Sequence, residues 1–257
     1  LSAGDLLVVY SRDEVDQPAC MWLLLDTALP RAVVAVVANG GDIKSEVLLD
    51  ETRRHAEHLG AAVDDALAAA GITIRDISGI GAGIGPGSFI GVRTGLSYAR
   101  GLGSACGVDV VGVSSLLALH RSVAPELMRA HEHAVVVIDA RRGERYVGHV
   151  KHNALSGVIA AVPNAMVDAA GATLAIGATD ELQWPATAQT VALPGPTAAG
   201  MWQALQTAQA SHAPPLPVYV RGADAKLPAV DPAARREAVL ADLDAHDAQR
   251  TTHEEQR

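Results

Sequence analysis

Two apolar runs, MWLLLD at 21–26 and RAVVAVVA at 31–38, face each other across the four residues Thr27 to Pro30. Continuous apolar runs of this length, split by a short polar break, predict two buried strands joined as a hairpin. Asn39-Gly40-Gly41-Asp42 is a second turn signal, ahead of a weaker strand over 43–49. The period then changes. Ala56, Leu59, Val63, Ala66 and Ala70 recur at three- and four-residue steps, which predicts a helix over 52–70 that Gly71 ends. An apolar lead-in over 72–80 reaches the stretch IGAGIGPGSFIGVRTGLSYARGLGSACG at 80–107. Its first part is a loop crowded with Gly81, Gly83, Gly85 and Gly87 and shaped by Pro86; its second part predicts another helix. A strand over 108–113, a helix over 115–120 and a short helix over 125–130 follow.

At residue 134 the same grammar restarts. AVVVID, the turn ARRG and ERYVGHV repeat the order strand, terminal aspartate, turn, strand seen in MWLLLD, TALP and RAVVAVV. Two such hairpins about 110 residues apart suggest a duplicated fold. The second half continues with a strand over 158–162, a small helical segment over 163–170, strands over 173–177 and 190–193, and a helix from Pro196-Thr197 to Ala210. Pro214, Pro215 and Pro217 frame an extended closing segment, Val218 to Arg221. These elements define an α/β protein. Residues 1–20 read as an N-terminal extension or over-extended start, 21–125 as an N-terminal lobe, 126–230 as a C-terminal lobe and 231–257 as a charged, disordered tail.

Composition narrows the function classes. The chain has 257 residues, 49% hydrophobic, enough for a sizeable core. Aromatics at 3% disfavour base-stacking platforms, and a net charge of −9 disfavours a chain that grips tRNA alone. Two cysteines, Cys20 and Cys106, make no disulfide framework. No apolar run approaches a membrane span, and the short patch Leu6 to Val9 has no basic leader before it. A soluble, cytoplasmic protein is expected.

The glycine loop feeding a helix could hold an anion on free backbone N–H groups. It fits neither G-x-x-x-x-G-K-[ST] nor G-x-G-x-x-G, so neither a P-loop nor a dinucleotide site is expected. The helix carries a stripe of small residues at every fourth position: Gly91, Gly95, Ala99, Gly103 and Gly107. Glycine costs a helix interior about 1 kcal/mol, so a run of them on one side suggests a contact surface. His55 and His58 lack a third ligand and Ser88 lacks a histidine partner, so neither a metal site nor a serine hydrolase is expected. Asp26 and Asp139, each closing a core strand, could place magnesium or water beside a phosphate; the bland alternative is a turn aspartate capping its own backbone.

Beyond these local readings, GPGSFIGVRTGLSYARGL followed by GVDVVGVSSLLAL resembles the TsaB (YeaZ) family. So do MWLLLDTA, RRHAEHL, VVIDARRGERYVG and PLPVYVRGADA, in order, over residues 21 to about 226. The resemblance implies an actin/Hsp70/sugar-kinase-like fold of two related lobes. It implies a subunit not catalytic alone, which pairs with TsaD through its first two helices. With TsaE in a larger complex, these support transfer of threonylcarbamoyl to adenosine 37 of tRNA, which is reached only through the complex. No membrane partner is implied.

The partner interface so implied comprises His55, Leu59, Val63, Gly91, Arg93, Gly95, Leu96, Tyr98, Ala99, Arg100 and Gly103, and a homodimer would use the same helices. Gly95→Trp is expected to block docking with the fold intact. A vestigial nucleotide site would comprise Asp26, Thr27, Gly85, Gly87, Ser88 and Asp139. Ala28 and Ile90 stand where the family usually keeps hydroxyls, which weakens nucleotide turnover. His58 lies one residue too early for the TsaD metal motif. No cofactor is expected beyond a weak or interface-dependent nucleotide with magnesium. The alternative function is an independent ATPase or metallo-hydrolase of the same superfamily.

Overall fold

In the first hairpin, β1 (Met21–Asp26) buries Leu23, Leu24 and Leu25 completely, and β2 (Ala32–Ala38) does the same with Val33, Val34, Ala35, Val36 and Val37. Unbroken apolar runs are needed here because both faces of the sheet are covered. The computed structural model describes residues 20–50, 55–169, 171–210 and 215–220, with side chains at all of these except 55, 157 and 158. The expected extension (apart from Cys20), the first residues of the helix over 52–70, the chain from 221 on and the expected tail lie outside the described residues.

With β3 (Ile43–Leu49), β4 (Ile77–Gly83) and β5 (Asp109–Val113), the hairpin forms a five-stranded sheet ordered β3-β2-β1-β4-β5. The β1–β2 and β2–β3 pairs are antiparallel, while β1–β4 and β4–β5 are parallel. Two helices cover one face. These are α1 (His55–Ala69), stopped by Gly71 at φ 70°, and α2 (Phe89–Cys106), stopped by Gly107 at φ 70°. They pack Leu59, Val63, Ala66, Leu96 and Ala99 against Leu23, Leu25, Val34 and Val36.

The second sheet repeats the first. Its strands are β6 (His133–Arg141), β7 (Glu144–Lys151), β8 (Ala154–Pro163), β9 (Leu174–Gly177) and β10 (Gln189–Ala192). Read from β8 they run β8-β7-β6-β9-β10, with the same alternation of antiparallel and parallel pairs. The repeated grammar is therefore a repeated topology, and the fold is the expected two-sheet α/β architecture.

The repeat is incomplete in one respect. Where the first half places α1, the second makes only a single 3-10 turn at Asn164–Met166, so among its described residues the helical segment expected over 163–170 shrinks to that turn. Where the first half places α2, residues 178–188 form no helix. The second sheet's outer face accordingly carries a small apolar cluster of Val135, Val137, Val147 and Ala172, edged by Leu182 and Trp184.

The remaining helices tie the halves together. After β5, α3 (Ser115–Arg121) places Leu116 and Leu119 among Val136, Ile138, Leu174 and Ile176 of the second sheet; a short α4 (Pro125–Ala130) follows it. After β10, α5 (Ala198–Ala210) returns to the first sheet and covers Leu24, Val33, Ala35 and Val37 with Met201, Trp202 and Leu205. Glu46 of β3 holds the start of α5 by accepting from the Ala198 N–H at 2.6 Å. No helix among the described residues is long and apolar enough to cross a membrane.

Candidate functional site

The end of β1, the glycine loop and the start of α2 meet at one corner. Asp26 lies there, 1% exposed. Its carboxylate accepts from the Ser115 hydroxyl at 2.6 Å and from the Ala28 N–H at 2.7 Å. Ser115 Oγ in turn accepts from the Gly85 N–H at 3.2 Å. Burial pushes the Asp26 carboxyl up to about 6, against the two hydrogen bonds that pull it down. Gly83 packs so close that a Cβ there would overlap this carboxyl group.

The loop itself is filled from within the chain. Gly87 sits against the Ala28 carbonyl, which accepts from the Ser88 N–H at 2.8 Å. Thr27 Oγ1 donates to the Gly91 carbonyl at 2.6 Å. An anion cradle needs free N–H donors. Here the N–H groups of Ile84, Gly85, Ser88 and Gly91 already donate, to Val113 O, Ser115 Oγ, Ala28 O and Ser88 Oγ. Five of the six residues read as a vestigial nucleotide site thus converge: Asp26, Thr27, Gly85, Gly87 and Ser88.

Asp139 has different surroundings. It lies half-buried near the end of β6, accepts from the Arg141 N–H at 2.9 Å, and pairs with the guanidinium groups of Arg141 at 3.4 Å and Arg145 at 3.5 Å. Arg145 is 7% exposed and also donates to Asn164 Oδ1 at 3.1 Å and to the Ala178 carbonyl at 3.3 Å. A magnesium ion at Asp139 would have to compete with two cations already in place. Among the described residues no three His, Cys, Asp or Glu side chains gather as a metal site.

The small-residue stripe of α2 points inward. Gly91, Gly95, Ala99 and Gly103 are buried. A Cβ at Gly91 would strike the Thr27 carbonyl, one at Gly95 would strike Thr27 Oγ1, and one at Gly103 would lie 2.6 Å from Val110 Cγ2. The stripe is a close-packing surface for β1, the turn after it and β5. Its reading as a contact surface for a partner is corrected, since this chain fills it: periodicity identified a smooth face but not what packs on it. Leu59, Val63 and Leu96 are likewise core residues, 1%, 2% and 3% exposed.

Of the residues expected at the interface, Arg93 and Arg100 are exposed, and Tyr98 is half-buried beside Gly60 of α1. The side chain of His55 lies outside the described residues. The outward ridge of α2 is formed by Phe89, Ile90, Arg93, Ser97, Arg100 and Gly101. Alongside it α1 exposes Glu57, Ala61, Asp64 and Asp65, so the two-helix face is acidic on α1 and basic on α2.

The family model described as TsaD: tRNA N6-adenosine threonylcarbamoyltransferase matches residues 45–226, well over half of the 257-residue chain. The tRNA threonylcarbamoyladenosine biosynthesis protein TsaB of Haemophilus influenzae is 34% identical over 128 residues, half of this chain and 52% of that one. The solved structure of YeaZ from Pseudomonas aeruginosa superposes with a TM-score of 0.64 at 26% identity, covering 78% of this chain and 99% of that one. The chain belongs to this family, on its TsaB/YeaZ branch. An uncharacterized protein of Mycobacterium tuberculosis is similar over a greater length, 35% identical over 211 residues that cover 79% of this chain and 93% of that one.

Within this TsaB/YeaZ chain the two departures noted in sequence have structural addresses. Ala28 offers its backbone carbonyl to the glycine loop, and Ile90 projects into solvent, 73% exposed. Ser115 and Arg145 went unnoticed in sequence. The only signal for Ser115 was its place just after a buried strand, and Arg145 looked like one more charge beside a turn.

Proposed function

We propose that this TsaB/YeaZ protein acts in tRNA threonylcarbamoyladenosine biosynthesis as a non-catalytic scaffold subunit that binds TsaD. It presents the outward faces of α1 and α2 to TsaD and supports transfer of threonylcarbamoyl to N6 of adenosine 37, in the cytoplasm. TsaE joins the larger assembly, and tRNA is reached through the complex. The observation that carries this reading is the asymmetry of the repeat. Helices α1 and α2 occur in the first half alone, and among the described residues their outer faces meet only the extended segment 215–220, at one edge of α2. The filled corner around Asp26 supports a subunit that does no chemistry of its own. A second copy of the chain would compete with TsaD for the same face.

Gly101 is the position to test. It lies on the exposed ridge of α2, and nothing comes within 4 Å of a Cβ placed there. Gly101→Trp is therefore expected to keep the wild-type melting temperature while weakening TsaD binding by about tenfold or more. Co-purification and calorimetric titration with TsaD check it. Undiminished binding by a folded Gly101→Trp protein would overturn the proposal.

A further inference from the structure

The extended segment 215–220 runs along α2 on the side away from α1. At about 100° per residue, Phe89, Arg93 and Arg100 share one edge of the helix, while Tyr98, which borders α1, lies roughly half a turn round. Ile90 falls between the two edges. The segment is pinned to that far edge in several ways. Val218 N–H donates to the Ile84 carbonyl at 2.8 Å, and Arg100 donates to the Pro215 carbonyl. Arg93 Nε donates to the Tyr219 hydroxyl at 2.9 Å, and the Arg93 guanidinium lies 3.9 Å over the Phe89 ring. The Phe89 and Tyr219 rings stand 5.5 Å apart.

These groups remain in solvent. Phe89 is 53% exposed, Ile90 73%, Leu216 59% and Tyr219 48%. Single exposed apolar residues mean little, but a cluster rimmed by polar groups marks a contact surface. Aromatic side chains and arginine are the types that anchor protein interfaces. Among the described residues neither Arg93 nor Arg100 has a carboxylate partner, although the chain as a whole carries a net charge of −9. Two cations with no carboxylate partner among the described residues, set beside an apolar patch, favour carboxylates on whatever covers it.

We propose that segment 215–220 is a third element of the docking face. The partner is then held by α1, α2 and this strap together, with Ile90 as the central apolar anchor and Arg93 and Arg100 facing its carboxylates. The proposal rests on the TsaD-binding role argued above and adds which surface of this chain is used. The Arg93 stack has a definite part in it. A guanidinium stacked over the Phe89 ring and hydrogen-bonded to the Tyr219 hydroxyl has few rotamers to lose on binding, so its remaining donors meet the partner pre-oriented.

Titration of TsaD with the full chain tests this. Ile90→Glu places an acid where a carboxylate-bearing partner must approach, and is expected to raise Kd about a hundredfold. Tyr219→Ala removes the outer ring and the hydrogen bond to Arg93, and is expected to raise Kd about tenfold. Wild-type melting temperatures are expected for both. If both variants bind as wild type while Gly101→Trp does not, the strap proposal falls and the docking role stands. If the wild-type chain itself fails to bind TsaD, the docking role falls and takes the strap with it. Should Tyr219→Ala melt early, Leu216→Glu decides instead: it lies on the segment itself, 59% exposed, and wild-type binding by that variant would sink the strap.

Discussion

Gly95→Trp is expected to leave little folded protein at 37 °C, not a folded protein that has lost its partner. The Cα of Gly95 sits so close to β1 that even a Cβ would overlap Thr27 Oγ1 and lie 3.3 Å from a methyl group of Leu25. Both neighbours are fixed. Thr27 is 2% exposed and its hydroxyl is bonded to the Gly91 carbonyl, while Leu25 is fully buried between the sheet and its covering helices. An indole at this position must therefore push α2 off the sheet, and the same shift breaks the Thr27–Gly91 hydrogen bond. Overpacking and the lost bond together cost on the order of 4 kcal/mol, a large part of a domain's stability. Gly101 provides the contrast from the same helix. With open space around it, Gly101→Ala should raise stability by about 0.5–1 kcal/mol, the ordinary helix-propensity gain. Urea or thermal unfolding followed by circular dichroism checks both. A cooperative melt of Gly95→Trp within a few degrees of wild type would mean that α2 does not lie as described.

The same helix shows how far the sequence could be read. Its small residues announced a close approach, and a close approach exists. Periodicity gives angles around a helix axis, however, and carries no information about which object lies at each angle. The exposed ridge at Phe89, Ile90 and Gly101 has no periodic signature of its own, so it stayed invisible until the stripe's partner was known. The hairpins were more legible, because a run of apolar residues ending in a turn has few other structures open to it. The duplication followed from comparing the two hairpins. The missing second pair of helices did not: PNAMVDAA at 163–170 has helix-forming composition, but of its described residues only 164–166 turn, and the small cluster of Val135, Val137 and Val147 supplies little surface to bury an amphipathic helix against. At the candidate site Asp26 was legible as an acid at a strand end. The hydroxyl that bonds it was not, because Ser115 lies 89 residues away and reaches it only after β4 and β5 are in place.

Asp26→Asn is expected to stabilise the protein above pH 6 and to do nothing of the kind at pH 4. Burial raises this carboxyl from 3.8 to about 6. The folded state therefore binds the proton more tightly than the unfolded chain, and stability from this group is complete below pH 3.8 and lost as pH rises through 6. A shift of about 2 units corresponds to roughly 3 kcal/mol withheld from the fold at pH 8. Asparagine has the same shape and no charge. Its carbonyl can still accept from the Ala28 N–H, and its amide can donate to Ser115 Oγ. His120 titrates across the same range with the opposite sign. Burial, helped by Arg121, lowers it from 6.5 to about 4, so its contribution is lost as pH falls. It is present in both proteins and cancels in the difference. The melting temperature of Asp26→Asn minus that of wild type should thus be positive at pH 8 and shrink through pH 6 towards pH 4. A pH-independent difference would show that Asp26 is not buried as a strained carboxylate. The variant also separates scaffold from enzyme. On the proposed scaffold role, the variant reconstituted with TsaD should support tRNA modification as well as wild type does. Loss of an ATPase or hydrolase activity of the isolated chain on this substitution would instead place the chemistry at Asp26.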